Sequence, residues 1–179
     1  MARYVLDACV LYPVVVRDLL LTIATFDVFE PIWTGQILDE MRRNVLADHP
    51  NINPAAFESA TIRTMNQVFP DARITGYEPL IANMDNESKD RHVAAAAIHA
   101  EATAIVTYNV RDFQGHILAR ANIEILSPAI LVDRLLDEDR GIVSAAVSSM
   151  APRKQRPPMT VDDVIQGFGA LQPRLTDLD

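Results

Sequence analysis

The sequence predicts an α/β fold with a central, mostly parallel sheet. Three observations lead there. Short apolar runs of strand type alternate with stretches whose apolar residues recur at helical spacing. No tight hairpin signal joins any two of the strand-like runs, so consecutive strands must be connected by crossovers. The runs themselves, such as Ala104-Ile105-Val106-Thr107, are continuously apolar, as strands covered on both faces are. The chain of 179 residues suits one compact domain with an appendage better than two full domains.

Taken in order, Tyr4-Val5-Leu6 is a first strand ending at Asp7. A Val- and Leu-rich helix follows over Val14 to Ala24, started by Pro13. Phe29 to Trp33 is a second strand. From Thr34, a fitting N-cap, Ile37, Leu38, Met41 and Val45 form the apolar stripe of a helix. Pro and Asn mark 48–54 as a loop, Ala55 to Phe69 reads as helix, and Pro70 ends it. A short strand is expected between Ile74 and Ile81. The helix with the clearest signal is Lys89 to Ala102, with alanines at 94–97 and Ser88 or Asn86 as its cap. Ala104–Thr107 and Ile123–Leu126 are strands, and Pro128 opens a helix over Ala129 to Leu136. The domain is drawn at 1–141. Residues 142–179 read as a C-terminal helical extension, with helices over Ile142–Met150 and Val161–Leu171 (Thr160 capping) around a basic, Pro-rich linker at 152–158.

Composition narrows function. Sixteen basic against 24 acidic residues give a formal net charge of −8, which excludes a diffuse cationic surface for nucleic acid. An anionic ligand would need local basic patches or a bound cation. The one cysteine, Cys9, excludes an intrachain disulfide and a cysteine-rich zinc site, and it reads as a packed small residue. Residues 8–16 are apolar, but Asp7 stands on the wrong side for a signal peptide. No uncharged apolar run reaches the ~18 residues of a membrane span, so a cytoplasmic protein without membrane attachment is expected.

Carboxylates stand where parallel sheets collect ligands, at the carboxyl ends of strands. Asp7 ends the first strand, and Asp112 follows the strand at 104–107. At about 100° per residue, Asp90 aligns with Ala94, Ala97 and Glu101 on the small apolar face that should pack on the sheet. His92 and His99 then point away, and surface positions are expected for most of the histidines. Glu40 borders the apolar stripe of its helix. Converging carboxylates repel, by about 4 kcal/mol for one pair at 4 Å and an effective dielectric near 20. A shared proton or a divalent cation relieves this, and oxygen-only ligands favour Mg²⁺ or Mn²⁺.

Read together, these segments resemble the PIN-domain ribonucleases and, within them, the VapC-like toxins of toxin–antitoxin modules. Val5-Leu6-Asp7-Ala8-Cys9-Val10-Leu11 is similar to the opening strand with its first acid, and Ile37-Leu38-Asp39-Glu40 to the helix with the second. Lys89-Asp90-Arg91-His92-Val93-Ala94-Ala95-Ala96-Ala97 resembles the helix with the third. Ile105-Val106-Thr107-Tyr108-Asn109-Val110-Arg111-Asp112-Phe113 resembles the closing motif, with the fourth acid and a supporting Thr and Asn. The resemblance covers about residues 3–135 and implies a three-layer α/β/α fold. It implies an Mg²⁺- or Mn²⁺-dependent endoribonuclease in which Asp7, Glu40, Asp90 and Asp112 hold the cation and a water activated by it attacks RNA. Thr107 and Asn109 would orient a carboxylate or that water. Some relatives carry aspartate where this chain has Asn109, leaving this site one charge weaker. A homodimer and a cognate antitoxin are the implied partners.

Arg42, Arg43, Arg91 and Arg111 each neighbour a proposed acid and could contact RNA phosphates, the plainer reading being surface charge balance. Arg153, Lys154 and Arg156 divide in the same way between RNA contact and a solvated linker. Three other functions compete with the toxin. An RNA-processing nuclease without an antitoxin would carry the same acids, whereas a non-catalytic interaction module would be expected to have lost them. A phosphohydrolase with an aspartate nucleophile would want a second aspartate where Cys9 stands.

Overall fold

The structure is a computed structural model that describes residues 1–150, 160–168 and 173–175. Its centre is a five-stranded, all-parallel sheet in the order β3-β2-β1-β4-β5. The strands are β1 (Ala2–Leu6), β2 (Phe29–Thr34), β3 (Arg73–Ile74), β4 (Ala104–Val106) and β5 (Glu124–Leu126). In register, Tyr4 faces Pro31 on one side and Ala104 on the other. The chain lays down β1, β2 and β3 in one direction, then crosses back to place β4 and β5 beyond β1. Strand order therefore reverses between β1 and β4, and a crevice opens at the carboxyl ends of those two strands. Helices cover both faces, as expected of the three-layer α/β/α architecture.

Two helix-start signals read from the sequence, Thr34 and Pro128, act as written. Thr34 Oγ1 accepts from Ile37 N at 3.1 Å and starts α3 (Gly35–Asp48). Ser127 Oγ accepts from Ile130 N at 3.2 Å and, with Pro128 at the first position, starts α8 (Pro128–Glu138). The sequence missed α1 (Ala8–Leu11), which leaves the first strand with Asp7 as its cap. The helix α2 (Val14–Ala24) begins after Pro13 as expected. A continuous helical rod follows over 54–68, in which a π-helical stretch (Glu58–Arg63) joins α4 (Pro54–Phe57) to α5 (Thr64–Val68). Trp33 is fully buried, donates to Asn66 Oδ1 at 3.0 Å and meets Phe69 edge-on.

Three expectations are corrected here. The strand placed between Ile74 and Ile81 stops at Ile74. Gly76 then turns the chain at φ 87°, and a 3₁₀ turn at Glu78–Asn83 contains Pro79, which has no N–H for a ladder. The alanine-rich helix is shorter than Lys89–Ala102. A 3₁₀ turn at Ser88–Asp90 precedes α6 (Arg91–His99), and Glu101 turns out of it at φ 51°, exposed. Asp90 itself occupies the N-cap position, and neither Ser88 nor Asn86 caps the helix. A further short helix, α7 (His116–Arg120), starts where Asp85 accepts from the N–H groups of His116 and Ile117. A side chain at Gly115 would meet the Asp85 carboxylate at 2.4 Å.

At the C-terminal end, α9 (Arg140–Met150) runs through Gly141, so the boundary drawn at 141/142 falls inside a helix. It lies against α2 and α8. The helix α10 (Val161–Gly167) begins with a reciprocal capping box between Thr160 and Asp163 and also packs on α2. Val164, Phe168 and Leu175 are buried. The linker at 152–158, with Arg153, Lys154 and Arg156, and the end of the last predicted helix at 169–171 lie outside the described residues.

Val93 through Ala97 are fully buried, and α6 lies against β1, β2 and β4. Small side chains set that separation. Replacing Ala94 or Ala97 with Leu should cost about 1–3 kcal/mol of stability by overpacking while leaving helix propensity almost unchanged. Urea unfolding measures it, and an unchanged midpoint would show that the helix is loosely seated.

Candidate metal centre

The centre is built outward from Asp7, which lies at the reversal of strand order. Its backbone N–H donates to Val106 O at 3.1 Å, extending the ladder between β1 and β4 by one bond. One carboxylate oxygen accepts from Ala8 N at 2.6 Å, which caps α1. The other accepts the Thr107 hydroxyl at 2.7 Å and the Cys9 thiol at 3.1 Å. Thr107 is fully buried, and its oxygen also accepts from Asn109 N at 3.0 Å. Thr107 thus fixes the orientation of a carboxylate. Asn109 takes part through its backbone, whose carbonyl accepts from Asp112 N at 2.9 Å.

Asp90 enters from the start of α6. It is 9% exposed, and its Oδ2 is buried without a hydrogen-bond donor among the described residues. Its carboxyl is pushed up to about 6. Burial is the main cause, opposed by Lys89; the negative charges of Asp7 and Asp112 raise it further, and His92 lowers it. Asp112 lies in a 3₁₀ turn (Val110–Phe113) beyond β4. The Lys89 ammonium is 2.8 Å from Asp112 Oδ2 and 3.8 Å from Asp90 Oδ2. Hydrogen bonding to Asp112, then the charges of Asp90 and Asp112, hold the lysine proton more firmly than usual. The fold therefore brings Asp7, Asp90 and Asp112 into one electrostatic neighbourhood.

Glu40 stands apart from that group. Its half-buried Oε1 lies 3.1 Å from His92 Nε2 and 3.4 Å from Gln36 Nε2. Burial raises its pKa, but His92, Gln36 and Arg43 outweigh it, and the carboxyl ends below its ordinary value. His92 contradicts the expected surface position: it is 3% exposed, with no aligned hydrogen-bond partner on either ring nitrogen among the described residues. The reason is local packing: α6 lies against the 3₁₀ turn at Glu78–Asn83 as well as the sheet, and the His92 ring is turned toward Glu40 of α3. His49, His99 and His116 are exposed as expected.

Of the four arginines, Arg42 pairs with Asp39 at 3.7 Å, and Arg43 donates to the Asp39 carbonyl. Arg91 donates to the Asn86 carbonyl, and with Arg111 and Asp112 it lines a polar cleft of about 450 Å³. Sequence reasoning overlooked Lys89 and His92. Both stand within two residues of Asp90, and an acid this deep must meet some charged or polar neighbour.

Among the described residues, no three His, Cys, Asp or Glu side chains stand together so as to hold a metal ion as they are. Mg²⁺ asks for less, since it keeps several waters and is bound through one or two carboxylates. The buried Oδ2 of Asp90, without a hydrogen-bond donor among the described residues and sharing an ammonium with Asp112, fits that demand.

The PIN domain family matches residues 3–111. The chain belongs to the PIN domain family. The match takes in Asp7, Glu40, Asp90, Thr107 and Asn109 and ends one residue before Asp112. The chain is also 34% identical over 99 residues to a Mycobacterium tuberculosis protein named "Putative ribonuclease VapC50". That alignment covers 55% of this chain, which spans 59% of the relative's length. No solved structure matches. In this PIN domain the sheet order reverses at the strand pair that carries Asp7 and Asp112, so the family's architecture and the acid cluster coincide.

Two outcomes follow for the metal-free protein. The folded state holds the Asp90 proton more tightly than the unfolded chain does, so stability falls as pH rises from about 4 through about 6. Asp90→Asn should therefore stabilise the protein by about 1–3 kcal/mol at pH 8, and by much less at pH 4.5. Urea titrations at the two pH values check this; equal gains would disprove the charge origin. Burial and the neighbouring Asp7 raise the Cys9 thiol to about 12. Its alkylation by iodoacetamide at pH 8 should accordingly be far slower than in the unfolded chain, and equal rates would contradict that environment.

Proposed function

We propose that this PIN-domain protein is an endoribonuclease dependent on Mg²⁺ or Mn²⁺, and that it serves as the toxin of a VapBC-type toxin–antitoxin pair. The observation that carries the metal reading is the buried Asp90 oxygen, which has no hydrogen-bond donor among the described residues and faces Asp112 across an ammonium. Proteins rarely bury a carboxylate oxygen without a hydrogen-bond partner unless something else completes it. The nuclease reading is supported by membership of the PIN family and by the printed name of the relative.

Asp7, Asp90 and Asp112 would hold the cation, with Glu40 as the fourth acid. When bound, the cation supplies charge neutralisation for a phosphodiester and lowers the pKa of a water. The protein's own residues do the remaining work. Thr107 and the Ala8 N–H keep Asp7 in one orientation, as partners of ligating carboxylates generally do. Asp90 is held at the rim of the core, where water is excluded and charge interactions are strong. Glu40, kept ionised by its neighbours, suits an accepting role rather than proton donation. Arg91 and Arg111, which line the cleft with Asp112, would meet phosphates flanking the reacting one, Arg91 with the nitrogens not bonded to Asn86, whereas Arg42 and Arg43 serve Asp39. Asn109 serves the turn that carries Asp112.

An antitoxin, a homodimer and a cytoplasmic location complete the proposal. Among the described residues, no helix is long and apolar enough to cross a membrane.

RNA incubated with purified protein and Mg²⁺ or Mn²⁺ should be cut internally, and EDTA should abolish the cutting. Asp7→Asn and Asp112→Asn should each lower the rate by at least about 100-fold, as loss of a ligand to a reacting cation does. Thr107→Val should lower it by about 10–100-fold through the misplaced Asp7. Cleavage that persists in EDTA, or that ignores both acid substitutions, would refute the metal reading.

A further inference from the structure

Lys89 directly precedes the most deeply set acid of the cluster, yet its own side chain is 62% exposed. An exposed lysine ordinarily trails in water, because fixing its long flexible stem costs rotamer freedom. This one is drawn back over the crevice. Its Nζ reaches Asp112 Oδ2 at 2.8 Å and lies 3.8 Å from the buried Oδ2 of Asp90, which has no hydrogen-bond donor among the described residues. Of the groups acting on Asp90, Lys89 is the foremost that favours its charged form, and His92 contributes less. Arg91 is spent on the Asn86 carbonyl, and neither Arg91 nor Arg111 forms an ion pair with a cluster acid among the described residues.

We propose that Lys89 is a tethered counter-ion, whose ammonium occupies the place between Asp90 and Asp112 that a divalent cation would take and must leave when the cation binds. The inference rests on the reading of this cluster as a cation site. Both positive species need the same two oxygens. Their mutual repulsion across so short a distance precludes joint occupancy, so the two are exclusive ligands of one carboxylate pair. The observed cation affinity is then the intrinsic affinity scaled by the fraction of molecules in which the lysine has swung away. With its ammonium in place, two closely placed acids avoid repulsion in the metal-free chain. The same contact weakens cation capture.

Mn²⁺ titrated calorimetrically into the full chain tests this without reference to activity, comparing the parent with Lys89→Gln and Arg111→Gln. Arg111→Gln removes the same charge beside the cluster but no ion pair to it. Lys89→Gln should bind Mn²⁺ about 5–20-fold more tightly, and Arg111→Gln no more than about 2-fold, since a screened neighbour matters little. In parallel, the side-chain nitrogen and Cε resonances of Lys89 should move toward free-lysine values as Mg²⁺ is added to the parent. Equal or weaker Mn²⁺ binding by Lys89→Gln, or an equal gain from Arg111→Gln, would overturn the counter-ion role while leaving the cation site standing. If neither the parent nor Lys89→Gln bound Mn²⁺, the cation-site reading and this inference would fall together.

Discussion

The arrangement depends on how Asp7 is held. Strands β1 and β4 are far apart in sequence, and their carboxyl ends must be locked together for any site to form between them. Asp7 does this with both backbone and side chain. Its N–H adds one more bond to the β1–β4 ladder, and its carboxylate accepts the Ala8 N–H and the Thr107 hydroxyl. Hydrogen bonds to an ionised acceptor are roughly twice as strong as neutral ones, and Thr107 is fully buried. One residue thereby ends a strand, starts a helix and fastens the neighbouring strand.

On that anchor the fold assembles charges that disfavour one another. Asp90 is desolvated and feels the negative charges of Asp7 and Asp112. Such a group subtracts from stability at neutral pH, as functional sites commonly do, and the apolar core has to offset it. The core is well placed to do so, since β4, Tyr4–Leu6 of β1 and His92–Ala97 of α6 are buried. The formal charge of −8 takes on a different meaning in this light. Part of the excess acid belongs to one inward-facing cluster, and the polar cleft with Arg91 and Arg111 opens beside it.

How much of this could be read in the sequence varies with the range of the forces involved. The helices after Pro13 and Thr34 and the one opened by Pro128 were legible because caps and prolines act within a few residues. Four of the five strands were legible as apolar runs, while β3 ends at Ile74, where a strand was expected to begin; that Asp7 and Asp112 open toward the same sheet edge followed from parallel topology. Angular reasoning turned Asp90 inward, where it is buried, but did not hold along the whole segment. It assumed one continuous helix, while the chain makes a 3₁₀ turn first and leaves the helix before Glu101. His92 was misread for a related reason. A wheel drawn for one helix has a wet side, but His92–Ala97 of α6 are all buried, and only tertiary packing decides that. Lys89 was invisible because nothing in a one-dimensional pattern says where a flexible side chain will fold back.

The alanines at 94–97 do more than permit a close fit. Methyl groups have no rotamers to adjust, so the gap between α6 and the sheet has almost no play. The depth at which Asp90 sits is thus a machined tolerance of the core, and the local dielectric around that carboxylate inherits it. Changes in core volume on the far side of the sheet would be transmitted as changes in how strongly the acid attracts a cation. The chemistry of the crevice is, in that sense, calibrated from behind.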